Sequence, residues 1–334
     1  MTEQILSFLR QNAGYVSGQE LSRELKISRA AIWKHIDHLR ACGYDIVAVP
    51  HLGYRLESIP DKLFPWEIKN GLSTKILGRE IAYHETVAST MDEAFALGVR
   101  RAAEGTVVCA EGQTKGRGRL GRTWVSPKGK GIYLSVLLRP RLPLVRVAEL
   151  TLLSAVAICQ AVQHAAGVAA RIKWPNDILI NNHKLGGILT ELSAEMDRVN
   201  FIVVGIGLNI TRPAGKSVPG AAFLKDIARK DFTRAALARE ILHSLEMWYE
   251  TIHQHGVSPV LKKWKDLSVT LGQAVRVVEP GGTIAGKAVD LADDGGLLIQ
   301  TSQGRVIKKM SGDVEIISKR FTEKSGVRHE PHDA

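Results

Sequence analysis

Residues 170–210 read ARIKWPNDILINNHKLGGILTELSAEMDRVNFIVVGIGLNI, three apolar runs separated by polar turns. The first, ARIKWPNDILI (170–180), predicts a strand and then a turn that Pro175 fixes. HKLGGILTEL (183–192) and NFIVVGIGLNI (200–210) predict two more strands. Upstream, GIYLSVLLRP (131–140) and GTVVCAEGQ (105–113) predict strands, and IAYHETVAST (81–90) a strand ending at Ser89-Thr90. That pair is expected to cap a helix over 91–103, and a long apolar helix is expected over 147–167. Antiparallel strands with segregated helices define an α+β class.

Working outward, the first 60 residues have another texture. Ile5, Leu6, Phe8 and Leu9 lie on one side of a short helix. Ser17 with Glu20 has capping-box spacing for a second helix, and Ser28 caps a third over 29–43. Helix, tight turn and helix form a helix-turn-helix, and YDIVAVPHLGYRL (44–56) adds two strands around a turn, a wing. The third helix is expected in the DNA major groove, with Ser28, Arg29, Lys34, His35 and His38 as the candidate contacts. A small helical module for protein contacts is the alternative. At the other end, 271–317 has short β runs broken by Gly-Gly and Asp-Gly turns, the pattern of a small barrel.

The resulting domains are 1–63, 64–269 and 270–320, with Pro60 and Pro65 in the first linker and a polar, disordered tail over 321–334. The net charge is +11, but it is not spread evenly. Residues 1–63 carry 8 basic against 7 acidic side chains, and 270–334 carry 9 against 9. The centre holds 28 against 18 and therefore most of the surplus. Cys42, Cys109 and Cys159 have no paired spacing, which suits free thiols in a reducing compartment. With no leader-like apolar segment and no apolar run near the ~20 residues of a membrane span, the expected location is cytoplasmic.

The central surplus is concentrated in GQTKGRGRLGR (112–122), four cations and four glycines in eleven residues. No core absorbs such a loop, so it awaits an anion, either a nucleic-acid backbone or a small phosphorylated molecule. Two further clusters accompany it, Lys173-Trp174-Pro175-Asn176-Asp177 and His183-Lys184-Leu185-Gly186-Gly187. Any one of these lysines alone reads as a solvated cation. Paired glycines at a strand start allow close approach of a ligand to backbone. The histidines show no metal-ligand spacing.

Together Ser89-Thr90, GQTKGRGRLGR, KWPND, KLGGIL and GIGLNI resemble biotin–protein ligases in order and spacing across about 80–320. SRAAIWKHI with VPHLGYRL resembles the winged helix of the bifunctional form, both ligase and biotin operon repressor. The resemblance implies a central mixed α/β domain of the class II synthetase-like biotin/lipoate ligase type and an SH3-like C-terminal barrel. Its strands can close over the nucleotide. It implies ATP and Mg²⁺, biotin as substrate, a biotin carboxyl carrier protein whose lysine accepts biotin, operator DNA and a homodimer formed with biotinyl-5′-AMP.

By the same resemblance Gln113, Gly116, Arg117 and Arg119 contact biotin or the intermediate, with Ser89 and Thr90 at the biotin ring or chain. Arg119 and Lys184 serve the phosphate and carboxylate oxygens as the catalytic pair, and Arg122 the distal phosphates. Lys173, Asn176 and Asp177 form the nucleotide side, Asp177 being the candidate Mg²⁺ ligand. Trp124 stacks on the loop or the adenine, or is structural; Lys115 and Leu120 receive no role. The rival readings are a biotin-sensing repressor without ligase activity, a lipoate–protein ligase, and an RNA-binding protein that grips a backbone with its GRGR loop.

Overall fold

The computed structural model describes residues 1–317 except 13, 141, 196–197, 216–218 and 280. The expected tail, 321–334, lies outside the described residues. The chain divides into two compact units, Met1–Lys62 and Leu63–Ala334.

The first unit holds helices α1 (Thr2–Gln11), α2 (Gly18–Leu25) and α3 (Arg29–Ala41), then strands β1 (Asp45–Val49) and β2 (Gly53–Ser58) in an antiparallel hairpin. The caps are the expected serines: Ser17 Oγ accepts from the Glu20 N–H and Ser28 Oγ from the Ala31 N–H. Each satisfies one of the free donors of a helix start. Ile5, Leu6 and Leu9 meet Leu21, Ile32, Ile36 and Leu39 in the core, and Phe8 is only half-buried. Gly53 has φ +111°, and a Cβ there would lie 2.0 Å from the Val16 carbonyl oxygen. Only glycine lets the hairpin pair with Val16 through Tyr54 at the start of α2.

The second unit is built on a seven-stranded sheet in the order β3-β4-β5-β9-β8-β7-β6. Its strands are β3 (Ile81–His84), β4 (Val107–Ala110), β5 (Gly131–Leu138), β6 (Arg171–Lys173), β7 (Asp177–Ile180), β8 (His183–Glu195) and β9 (Arg198–Asn209). All pairs are antiparallel except β3 with β4. That parallel pair is joined by a crossover through α5 (Thr90–Val99), which covers one face with Met91 and Ala94 against Val108, Leu137, Phe201 and Val203. The other face, with Cys109, Ile132, Leu134, Val136, Ile202 and Val204, packs against α6 (Ala148–Ala166) and α7 (Arg234–His255). Covered on both faces, β5 is buried throughout, which is why its sequence is a continuous apolar run.

α4 (Pro65–Lys69) leads into the unit, and α8 (Ser258–Leu267) packs beside α6 and α7. No element is predicted for residues 211–269, where α7 and α8 fall. A second sheet, β13-β12-β11-β10-β14, is antiparallel: β10 (Ala274–Glu279), β11 (Gly282–Leu291), β12 (Leu297–Gln300), β13 (Val306–Lys309) and β14 (Asp313–Ile316). It is the small C-terminal β domain expected from the Gly-Gly and Asp-Gly turns.

Three expectations are corrected. The strand from residue 81 ends at His84, and 85–89 form a loop. The following helix ends at Val99 rather than 103, because Arg139 Nη2 donates to the Gly98 and Ala102 carbonyls and Arg101 turns to φ +61°. One helical stretch, Leu144–Ala166, is long and apolar enough by composition to cross a membrane, though no such run was expected. Most of it is buried inside the protein, so here it is a core helix.

A buried ion pair ties the second unit together. Arg234 Nη2 donates to Glu111 Oε2 at 2.7 Å and Nη1 to the Gly131 carbonyl at 3.1 Å. The other carboxylate oxygen of Glu111 accepts from the Leu63 N–H at 2.7 Å. One contact set thus anchors the entry of the unit, the end of β4 and the start of α7.

Candidate active site

The largest concentration of predicted residues lies in one cavity of about 580 Å³ where α5, the 113–124 loop, β8, β9 and β14 converge. Among the described residues it gathers Ser89, Thr90, Gln113, Arg117, Arg119, Arg122, Trp124, Lys173, Asn176, Asp177 and Lys184 from far-separated stretches. The volume suits a small molecule.

Its floor is a polar network. Gln113 Oε1 accepts from the Thr90 N–H at 2.8 Å and from Thr90 Oγ1 at 3.1 Å, and Gln113 Nε2 donates to Ser126 Oγ. Ser135 Oγ donates to Thr90 Oγ1 at 2.9 Å. Ser89 occupies the cap position of α5, yet its side chain makes no capping bond. Its buried Oγ has no partner, and neither has the buried Nε1 of Trp124. Both residues line the cavity, and buried polar atoms without partners are costly.

Glycines shape the wall. A Cβ on Gly207 would lie 2.5 Å from Trp124 Nε1, and one on Gly205 would lie 2.4 Å from Met91 Sδ. Gly187 faces Lys184 and Trp124 with ordinary van der Waals room. Gly116 lies 2.4 Å from the Trp124 carbonyl by the same measure, so it packs the loop and does not itself line the cavity. Trp124 lies over β8 and β9, with Lys184 Nζ 5.6 Å from its ring centre.

The cations come from three places, the 113–124 loop, β6 and β8. Lys184 Nζ pairs with Asp177 Oδ1 at 2.6 Å, since β7 and β8 are neighbours. Arg119 Nη1 donates to Asn176 Oδ1 at 3.1 Å and to the Gly312 carbonyl at 3.4 Å. Asn176 Nδ2 is bonded in turn to the Ile188 carbonyl, so the asparagine holds Arg119 against β8. Burial pulls the Arg119 guanidinium below its ordinary value, while Asp313 and Asp177 pull it back. Arginine remains a cation through such shifts. Arg117 pairs with Asp92 and with Glu191, both at 2.7 Å, and Arg122 pairs with Asp313. Lys173 has no acidic partner among the described residues.

Sequence reading missed the acidic partners Asp92, Glu191 and Asp313, which reach the loop from α5, β8 and β14. It also missed a cavity of about 190 Å³ that shares Trp124 and Lys184 and is lined by Phe223 and Pro213. No local pattern signals contacts between segments so far apart.

In the first unit the predicted DNA contacts separate. Arg29, Lys34 and His38 are exposed on α3. Ser28 spends its hydroxyl on the cap. His35 is half-buried and its Nδ1 meets Thr2 Oγ1 of α1 at 3.4 Å, so it lies off the exposed face. Trp33, named in no prediction, is exposed on that face.

A mixed sheet with a glycine-lined pocket, closed by a cationic loop and a small β domain, defines an enzyme class. Residues 83–209 match the biotin/lipoate A/B protein ligase family, 270–316 the biotin protein ligase C-terminal domain, and 2–55 an HTH domain. The biotin protein ligase from Aquifex aeolicus, solved in complex with biotin and ATP, superimposes with a TM-score of 0.61 at 29% identity, over 72% of this chain and 99% of that one.

Full-length relatives narrow the class. The bifunctional ligase/repressor BirA of Bacillus subtilis is 42% identical over 90% of this chain and 94% of its own. That of Escherichia coli is 31% identical over 93% and 95%. The chain belongs to the family of bifunctional biotin ligase/repressors, biotin–[acetyl-CoA-carboxylase] ligases that also carry a DNA-binding helix-turn-helix.

Proposed function

We propose that the central pocket makes biotinyl-5′-AMP from biotin and ATP and passes biotin to a lysine of a biotin carboxyl carrier protein. A carboxylate oxygen of biotin attacks the α-phosphorus of ATP, the bond to the β-phosphate breaks, and pyrophosphate leaves. The acceptor amine then attacks the acyl carbon, the C–O bond breaks, AMP departs with the bonding pair, and the ammonium loses a proton to solvent. Negative charge gathers on oxygen in both steps, where fixed cations in a water-excluded site are most effective.

The roles proposed for the residues rest on the resemblance and on their place in the cavity. Ser89 Oγ, Thr90 and Gln113 meet the polar ring of biotin, and Gly116 lets the loop pack close. Arg119 and Lys184 hold the phosphate and carboxylate oxygens, with Arg117 locking the loop above them. Arg122 and Lys173 take the distal phosphates. Trp124 forms a wall for the purine, with the smaller cavity behind it. Asn176 acts by positioning Arg119. Asp177 is the one carboxylate placed beside Lys184, and no cluster of three metal donors exists among the described residues. That suits Mg²⁺ arriving with ATP, held by Asp177 and phosphate oxygens, where it would neutralise triphosphate charge.

The observation that carries this reading is the one cavity that brings Lys184 and Arg119 together with Ser89 and Trp124, whose buried Oγ and Nε1 have no partner. We further propose that the intermediate orders the loop and favours a homodimer, which sets two winged helices on a palindromic operator, and that the protein works in the cytoplasm. The test is ATP–pyrophosphate exchange with biotin, lipoate or no acid. Biotin-dependent exchange supports the reading. Exchange with lipoate replaces the substrate, and none with either acid replaces the enzyme by a sensor.

A further inference from the structure

The exposed face of α3 is narrower in charge than its sequence suggests. Arg29, Ala30, Trp33, Lys34 and Asp37 are exposed at spacings that place them along one side of the helix. Arg40 is diverted, since its Nε and Nη2 both donate to the Ile46 carbonyl, at 2.9 and 2.6 Å. His35 is diverted to Thr2. Two cations and one carboxylate therefore remain around Trp33 on this face. With 8 basic against 7 acidic side chains over 1–63, phosphate attraction alone gives one copy of this unit little affinity.

Trp33 is 56% exposed, while its neighbours Ile32 and Ile36 are fully buried. The core of the unit does not need the indole. It stands between Arg29 and Lys34, the cations that would meet phosphates on either side of a groove. A recognition helix enters the major groove, where the thymine 5-methyl is the apolar feature presented by the bases.

We propose that Trp33 is a specificity-determining residue of the DNA reader, contacting the 5-methyl group of one thymine in each half-site. The proposal rests on the repressor reading above. Direct apolar contact at a base edge discriminates sequence without adding charge, which suits a nearly neutral unit.

The test uses the full-length protein with biotin and ATP to select duplexes from a random library, followed by uracil-for-thymine interference on the selected sites. For the unsubstituted protein, removing the methyl at one thymine per half-site should weaken binding about three- to fivefold, the size of one buried methyl group. Trp33→Ala should bind thymine and uracil duplexes equally, and Trp33→Phe should keep most of the difference. The proposal is overturned if the unsubstituted protein shows no thymine interference, a result that needs no variant. It is equally overturned if Trp33→Ala weakens both duplexes alike and leaves their ratio unchanged. Failure to select any duplex would overturn the DNA reader itself, a separate outcome.

Discussion

Arg234 and Arg117 each hold a carboxylate at 2.7 Å, yet the two clamps do opposite work. Arg234 and Glu111 are each 2% exposed and join three distant segments of the core. Arg117 is exposed and lines the pocket, and its partners Asp92 and Glu191 hold it from α5 and β8. Distance alone does not separate a structural pair from a releasable one; burial does. A buried charge that loses its partner cannot turn to water, whereas an exposed pair exchanges one solvated arrangement for another.

The sharpest way to break this contrast is at the buried clamp. Glu111→Ala strands a buried guanidinium and should destabilise the second unit by about 3–5 kcal/mol, read from denaturant unfolding. A loss under about 1 kcal/mol would remove the distinction. Next comes Lys184→Ala in the pocket, expected to slow biotin-dependent pyrophosphate exchange about 10²- to 10³-fold with little change in melting temperature. An equal fall in stability would make Lys184 a structural cation.

Smaller effects sharpen the exposed side. Glu191→Gln together with Asp92→Asn should cost under about 1 kcal/mol of stability. The same pair should speed release of enzyme-bound biotinyl-5′-AMP several-fold, measured by filter retention, because the loop loses its latch. Unchanged release would mean that Arg117 does not hold the loop. Smallest is a reactivity difference. Burial pushes the Cys109 and Cys159 thiols up to about 12. A raised thiol value favours the neutral folded form, so that contribution is complete below the ordinary thiol range near pH 8.5 and is lost as pH rises towards 12. At pH 8 a disulfide reagent should titrate Cys42 first, and the two core thiols only after unfolding.

How much could be read in advance followed how local each signal was. Ser17 and Ser28 announce their helices within four residues, and both cap as expected. Gly53 marks the wing turn, although the carbonyl that forbids a side chain there belongs to Val16. Ser89 carried the same serine signal and misled, because its buried hydroxyl makes no capping bond. His35 stands three residues after Ile32, so helical spacing alone could have placed it near the buried side. Trp33 was overlooked because a large apolar residue is normally read as core. The loop's cations were visible as a run, but their acidic partners come from α5, β8 and β14. Only the closed fold brings those together.

The contact between Arg119 and the Gly312 carbonyl spans 193 residues, and Arg122 reaches Asp313 close by. During synthesis the DNA-reading unit leaves the ribosome first, and the pocket lacks part of its rim until the last strand follows. A chain cut short before residue 312 would carry an entire reader and an unfinished enzyme. Because operator binding is proposed to need the dimer that biotinyl-5′-AMP favours, premature stop codons late in the gene should silence both activities while leaving the reader itself folded.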